Sequence, residues 1–322
     1  MGDYMYFPYI RGRQYELLAL RELVENELMS NHVIPVVEPV KLSPTLVNMM
    51  EKFIEAAHPV SIIRNPAVGS FTADWESANG NIRAAGYKKR FTELYKSEKI
   101  IKAFIMQTDS DYILNNWEKE GANKSDLIVI CRDRGSMDSY DRFYGSTLPR
   151  YTLIPDERFF KHKVRHNKVL LDDKFVKQDR NADYEEVFEE FFSDDHLYYM
   201  EDNFVGFSDY SIVGDDYFEA GFAPYAVAIH IVYFDSDQNL RIIHFVSESN
   251  DDISNPALKY YEAVSKLHQW YNENSQSIDL TLGLQTFLNH YDNKTYPGLG
   301  TVKKLSLMHH IELIGNYLNG VK

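Results

Sequence analysis

The chain of 322 residues contains a single cysteine, Cys131. It can form neither an intramolecular disulfide nor a cysteine-based zinc cage, which is the usage of a reducing compartment. No stretch approaches the run of about eighteen apolar residues needed to span a bilayer, and the N-terminus has no basic region leading into an apolar one. Membrane insertion and secretion are both disfavoured, and a cytoplasmic location is expected. Positive charge is scarce as well. Against 34 Lys and Arg stand 48 Asp and Glu, a formal net charge of −14. A surface of that sign repels phosphate backbones, and no basic stripe or recognised motif offsets it, so nucleic acid is not an expected partner.

Most of the excess acid is local. Residues 170–220 carry sixteen Asp and Glu against three Lys and Arg, a net of −13. A solvated helix face accounts for such a segment most simply, with an acidic surface for a partner protein as the functional reading.

The remaining composition is that of a globular protein, at 44% hydrophobic and 25% charged residues, so a full core can be buried. Short β-branched or aromatic runs recur at residues 4–10, 33–37, 60–63, 100–106, 127–131, 151–154 and 168–171, with an eighth at 204–208. Amphipathic stretches at 14–28, 43–57, 85–95 and 182–192 have apolar residues at three- and four-residue spacing and read as helices. Ser43-Pro44 supplies an N-cap followed by proline at the first helical position. Many of the strand runs are apolar throughout, as expected when helices cover one face of a parallel sheet and barrel side chains fill the other. The predicted fold is therefore an α/β, TIM-like (β/α)8 barrel, with an open doubly wound sheet as the alternative.

After Gly221 the pattern changes. Runs at 226–234 and 240–246 flank Asp235-Ser236-Asp237-Gln238-Asn239 and read as a β-hairpin, followed by helices at 256–271, 280–290 and 302–318. Residues 1–220 are thus assigned to the barrel. Residues 221–322 are assigned to a C-terminal hairpin and helices that complete or decorate it within one compact unit.

Several separated segments share a likeness. Tyr6-Phe7-Pro8-Tyr9-Ile10-Arg11-Gly12-Arg13-Gln14-Tyr15-Glu16 and Ile34-Pro35-Val36-Val37-Glu38-Pro39-Val40-Lys41 resemble the opening of the phage beta-protein family and its bacterial relatives. Gly206-Phe207-Ser208-Asp209-Tyr210, Ala226-Val227-Ala228-Ile229-His230 and Pro297-Gly298-Leu299-Gly300-Thr301-Val302-Lys303-Lys304-Leu305-Ser306 extend the resemblance along the chain. It implies a bacterial or phage protein from a mobile or antiphage-defence neighbourhood. It carries no activity with it.

In a parallel barrel the loops at the carboxyl ends of the strands converge on the mouth. The polar residues at those ends are Arg11, Glu38, Arg64 with Asn65, Gln107, Arg132 with Asp133, Asp156, Asp172 with Asp173, and Asp209. Arg11, Arg64, Asn65 and Arg132 are the candidate substrate-binding groups, the arginines as bidentate partners for phosphate or carboxylate. Glu38, Asp172 and Asp209 are candidate acids, bases or magnesium ligands; magnesium is the one cofactor these groups suggest. Loop capping and salt bridging are the structural reading of the same residues.

His230 and His244, on the two arms of the hairpin, form a proton-transfer pair or contribute to a metal site if they face each other, with His230 as the catalytic member; hydrogen-bonded packing among apolar neighbours is the alternative. His309-His310 reads as surface, because adjacent helical residues diverge by about 100° and rarely serve one ligand. Pro297-Gly298-Leu299-Gly300 reads as a helix-entry turn, and Cys131 as a buried inert thiol.

Two functions compete on this basis. The first is a barrel enzyme for an anionic, phosphorylated or nucleotide-like substrate, with a hydrolase or phosphodiesterase as the natural class. The second is a noncatalytic binding or sensing subunit of a multiprotein bacterial defence complex, which engages a partner protein through the acidic segment or the hairpin.

Overall fold

The computed structural model describes residues 5–119, 122–218 and 224–320. Strands and helices alternate through β1 (Tyr9–Ile10), α1 (Gln14–Glu25), β2 (Val36–Val37), α2 (Pro44–Glu55), β3 (Val60–Ile63), α3 (Phe71–Ser77), α4 (Ile82–Leu94), β4 (Ile100–Ile105) and α5 (Ser110–Lys119). The alternation continues through β5 (Ile128–Ile130), α6 (Met137–Tyr144), β6 (Tyr151–Ile154), α7 (Arg158–Lys163) and β7 (Lys168–Asp172). It then breaks into β8 (Glu189–Ser193), α8 (Asp195–Tyr198), β9 (Gly206–Asp209), β10 (Ala228–Phe234), β11 (Leu240–Val246), α9 (Pro256–Asn274), α10 (Leu282–Asp292) and α11 (Leu299–Leu318).

Eight strands form one parallel sheet in the order β1-β2-β3-β4-β5-β6-β7-β9. Tyr6 joins its two ends, bridging Val33 on one side and Phe207 on the other. Phe7 N donates to Phe207 O at 2.9 Å and Phe207 N to Met5 O at 2.8 Å, so the sheet closes on itself as a TIM-like barrel and the open-sheet alternative falls. Gly206 permits the closure, because a Cβ there would lie 2.7 Å from the Met5 carbonyl oxygen. The strands are buried on both faces, as in the VSII sequence of β3, which is why their sequences show apolar runs instead of alternation. Around them the helices are amphipathic. In α2 the Ser43 side chain accepts from Leu46 N, Pro44 opens the first turn, and Leu46, Val47, Met49, Met50 and Phe53 form the buried stripe.

The chain divides into two compact units that interleave along the sequence. The first comprises residues 1–17, 31–172 and 198–209; the second comprises 18–30, 173–197 and 210–322. The boundary expected at residues 220 and 221 lies outside the described residues.

The second unit contains an antiparallel sheet in the order β10-β11-β8, with the expected hairpin as β10 and β11. The helix expected over 182–192 is not there. A 3-10 turn (Asn181–Glu185) and β8 replace it, because β11 offers an edge on which Arg241 holds Glu189 at 2.6 Å. Side chains alternate across this sheet. Trp270 of α9 packs on Tyr233 and Phe245 from one face, while Tyr317 of α11 packs on Phe234 from the other.

The surface placement expected for His309 and His310 is also corrected. Both are fully buried in α11, whose residues 305–315 are covered without a break. The Thr281 hydroxyl meets His309 Nδ1 at 2.7 Å, and His309 Nε2 lies 2.6 Å from Val232 O. Gly298 (φ +90°) is the N-cap of α11, as expected of a helix-entry turn. Among the described residues no helix is long and apolar enough to cross a membrane.

Candidate functional site

The barrel brings part of the expected set together. Glu38, at the end of β2, is wholly buried and accepts from Arg11 Nη1, from the Tyr9 hydroxyl at 2.7 Å and, through its other oxygen, from Ala67 N at 2.7 Å. Arg11 is itself only 4% exposed. Gly12 (φ +64°) makes the approach possible, since a Cβ would stand 2.8 Å from the Glu38 carbonyl oxygen. Asp209, at the end of β9, accepts the Tyr6 hydroxyl at 2.9 Å, and burial beside that carboxylate drives the phenol's pKa well up. Asp172 is the in-register partner of Asp209 across β7 and β9.

Other expected ligand groups are used locally. Asn65 clasps the end of β4, donating to Ile105 O at 2.8 Å and accepting from Ile105 N at 2.9 Å. Arg64 lies 4.4 Å over the Trp75 ring, with its pKa lowered by burial, and Arg132 is exposed. Asp156 pairs with Lys161. Cys131 is buried, and burial pushes its thiol pKa up, which matches the inert reading. The mouth therefore holds two tyrosine-fixed carboxylates that already have strong donors. Such groups shape and stiffen a rim more readily than they move protons. Among the described residues no three His, Cys, Asp or Glu side chains are grouped to hold a metal ion.

The second unit has a different arrangement. His230 and His244 are cross-strand partners, and their Nδ1 atoms are 2.7 Å apart. His244 Nε2 lies 3.3 Å from Glu190 Oε1 on β8. The Tyr184 ring sits 4.7 Å from both imidazoles. His230 opens onto a cavity of about 300 Å³ that is also lined by Tyr184, Lys177, Lys303, Asp179 and Ser306.

Burial keeps both histidines neutral. It holds the pKa of His230 well below the imidazole range, with His244 and Lys303 adding to the effect, and lowers that of His244 to about 4. Burial also raises the Glu190 carboxyl. One tautomer set satisfies the chain when Glu190 is ionised: His244 Nε2–H donates to Glu190, His230 Nδ1–H donates to His244 Nδ1, and the lone pair of His230 Nε2 is left to the cavity. The arrangement allows a proton taken up at that nitrogen to be handed along both rings to Glu190 with neither becoming imidazolium. That route suits three groups whose neutral forms burial favours.

The pairing of the histidines was legible, because each lies seven residues from Asp237 at the centre of the turn. Glu190 and Tyr184 were not singled out, since a helical reading of 182–192 hides the β8 register. Tyr6 and Tyr9 gave no signal either, because their carboxylate partners are remote in sequence.

The chain matches no protein-family model, no curated protein and no solved structure.

Proposed function

We propose that the protein is a hydrolase for an anionic, phosphorylated or nucleotide-like small molecule bound in the His230 cavity. The observation that carries this reading is the hydrogen-bonded chain His230–His244–Glu190 opening on a cavity flanked by Lys177 and Lys303. About 300 Å³ suits a small ligand. Lys177, which also meets Asp216 at 4.0 Å, and Lys303 bring positive charge to the cavity wall on an otherwise acidic chain. His230 Nε2 removes a proton from water as the water oxygen bonds to phosphorus, and that proton moves through His244 to Glu190. The ester P–O bond breaks, and the relay runs in reverse to protonate the leaving oxygen, so no proton is gained or lost at the site. This activity is placed in the cytoplasm, where a lone buried thiol stays reduced.

The test is hydrolysis of bis(p-nitrophenyl) phosphate and of linear and cyclic nucleotides by the purified chain. His230→Gln should lower kcat by about 100-fold or more, the usual worth of a general base, with KM little changed. kcat/KM should fall at acid pH as Glu190 takes up a proton, and Glu190→Gln should abolish that limb. Unchanged turnover in His230→Gln would remove the proposal.

A second reading has its own observation. Phe191 is 51% exposed on β8, an outer strand of its sheet. An apolar side chain beside an open strand edge suits a partner protein. On this reading the chain is a binding subunit of a bacterial defence assembly, as the likeness to the phage beta-protein family suggests. Charge reversal at Glu185 and Glu186 would then release a copurifying neighbour product while His230→Gln would not.

A further inference from the structure

We propose a second, independent anion site in the barrel unit, at the amino ends of β4, β5 and β6, which takes the phosphate group of a small phosphorylated molecule. A cavity of about 400 Å³ lies there, with Lys96 after α4, Lys102 on β4 and Arg150 just before β6 on its walls. Among the described residues none of these three cations is ion-paired, although the chain as a whole carries a formal charge of −14. Arg150 Nε is buried and makes no hydrogen bond. A guanidinium donor enclosed without an acceptor is costly, and the fork it belongs to fits two oxygens of one phosphate.

The same walls hold Glu98 and Asp126. Asp126 is already hydrogen-bonded by Asn123 Nδ2 at 3.0 Å, and the cations outnumber the carboxylates. Asn123 and Ser97 also line the cavity, which makes its wall polar enough for the hydroxyls of an attached organic group. Lys102 Nζ lies 6.0 Å from the Tyr95 ring centroid, a contact that leaves its charge uncompensated. In a parallel barrel this end ordinarily serves stability, so a ligand here would stabilise the fold instead of reacting.

Titration calorimetry and thermal denaturation would test the site with inorganic phosphate and with glycerol 3-phosphate, each against sodium chloride at matched ionic strength. Both anions should raise the unfolding midpoint, with glycerol 3-phosphate binding more tightly. Arg150→Gln should weaken binding at least ten-fold, and Lys102→Met should weaken it less. Lys303→Gln, in the other cavity, should leave the Arg150-dependent site intact. If Arg150→Gln does not fold, the paired Lys96→Gln and Lys102→Met variants serve in its place. Equal binding by wild type and these variants, or no midpoint shift beyond that of chloride, overturns the proposal. Tighter binding of inorganic phosphate than of the ester overturns the claim for an organic group.

Discussion

Glu312→Gln should make the protein less sensitive to alkali, and the size of the effect follows from where the carboxyl sits. Glu312 is 5% exposed on α11, and one oxygen accepts Leu282 N at 2.9 Å in the first turn of α10. That donor, with the amino-terminal dipole of α10, favours the carboxylate, and burial opposes both. Burial wins: the pKa rises from 4.5 to about 7. His309, one turn earlier on α11, brings no counter-charge, because burial lowers its own pKa to about 4.

The folded state therefore binds the Glu312 proton more tightly than the unfolded chain does. Its stabilising contribution is complete below about pH 4.5 and is lost as pH rises through about 7. At 1.36 kcal/mol per unit, the shift from 4.5 to about 7 corresponds to a loss of about 3 kcal/mol at most, and relaxation of the site would bring it nearer 2. Glutamine keeps a carbonyl acceptor for Leu282 N and cannot ionise. Thermal or urea unfolding of both proteins from pH 5 to 9 at constant ionic strength isolates the group, because every other titration cancels in the difference. The variant should exceed wild type by about 1 kcal/mol or less at pH 5, where the loss has just begun, and by about 2 kcal/mol or more at pH 9. A difference independent of pH, or a wild type that is the more stable at pH 9, would refute the reasoning.

Two further predictions concern the barrel. Gly12→Ala should cost about 2 kcal/mol or more in urea unfolding, since it combines a left-handed backbone with a Cβ 2.8 Å from the Glu38 carbonyl oxygen. Gly145→Ala, at φ +54° with open space around the new Cβ, should cost only about 1 kcal/mol, and equal losses would disprove the steric argument. Glu38→Gln should destabilise by roughly 3 kcal/mol by removing the carboxylate that the buried Arg11 guanidinium meets, whereas the double variant Arg11→Met with Glu38→Leu should recover most of that loss. A double variant as unstable as the sum of the singles would show that the pair is not the cause.

The barrel was legible because its strands are short, mainly apolar runs without alternation, as in the VSII of β3 and Val169-Leu170-Leu171 of β7, separated by amphipathic helices with recognisable caps such as Ser43-Pro44. What failed to show in the sequence shares a physical cause. Glu189-Glu190-Phe191-Phe192 alternates poorly, and only pairing with β11 makes it a strand. His309 and His310 read as polar surface because periodicity marks a wet face, and α11 over 305–315 has none. Strand-end polarity pointed to Arg11, Glu38 and Asp209, which lie at the carboxyl ends of β1, β2 and β9. It could not show that Tyr9 and Tyr6 occupy the two carboxylates, because the Tyr6–Asp209 bond joins residues 203 apart in the chain.

That occupation bears on where chemistry can happen. A carboxylate is a useful base when it can exchange a proton with something that comes and goes. Glu38 meets an arginine, a phenol and a backbone N–H, all supplied by the chain itself, so none of these partners comes and goes. Glu190 is placed differently. Burial favours its acid form, and it meets His244, a neutral imidazole with one nitrogen that donates and one that accepts. The proposed chemistry is assigned to the His230 cavity on that ground, while the strand-end pairs of the barrel are assigned to holding its rim in shape.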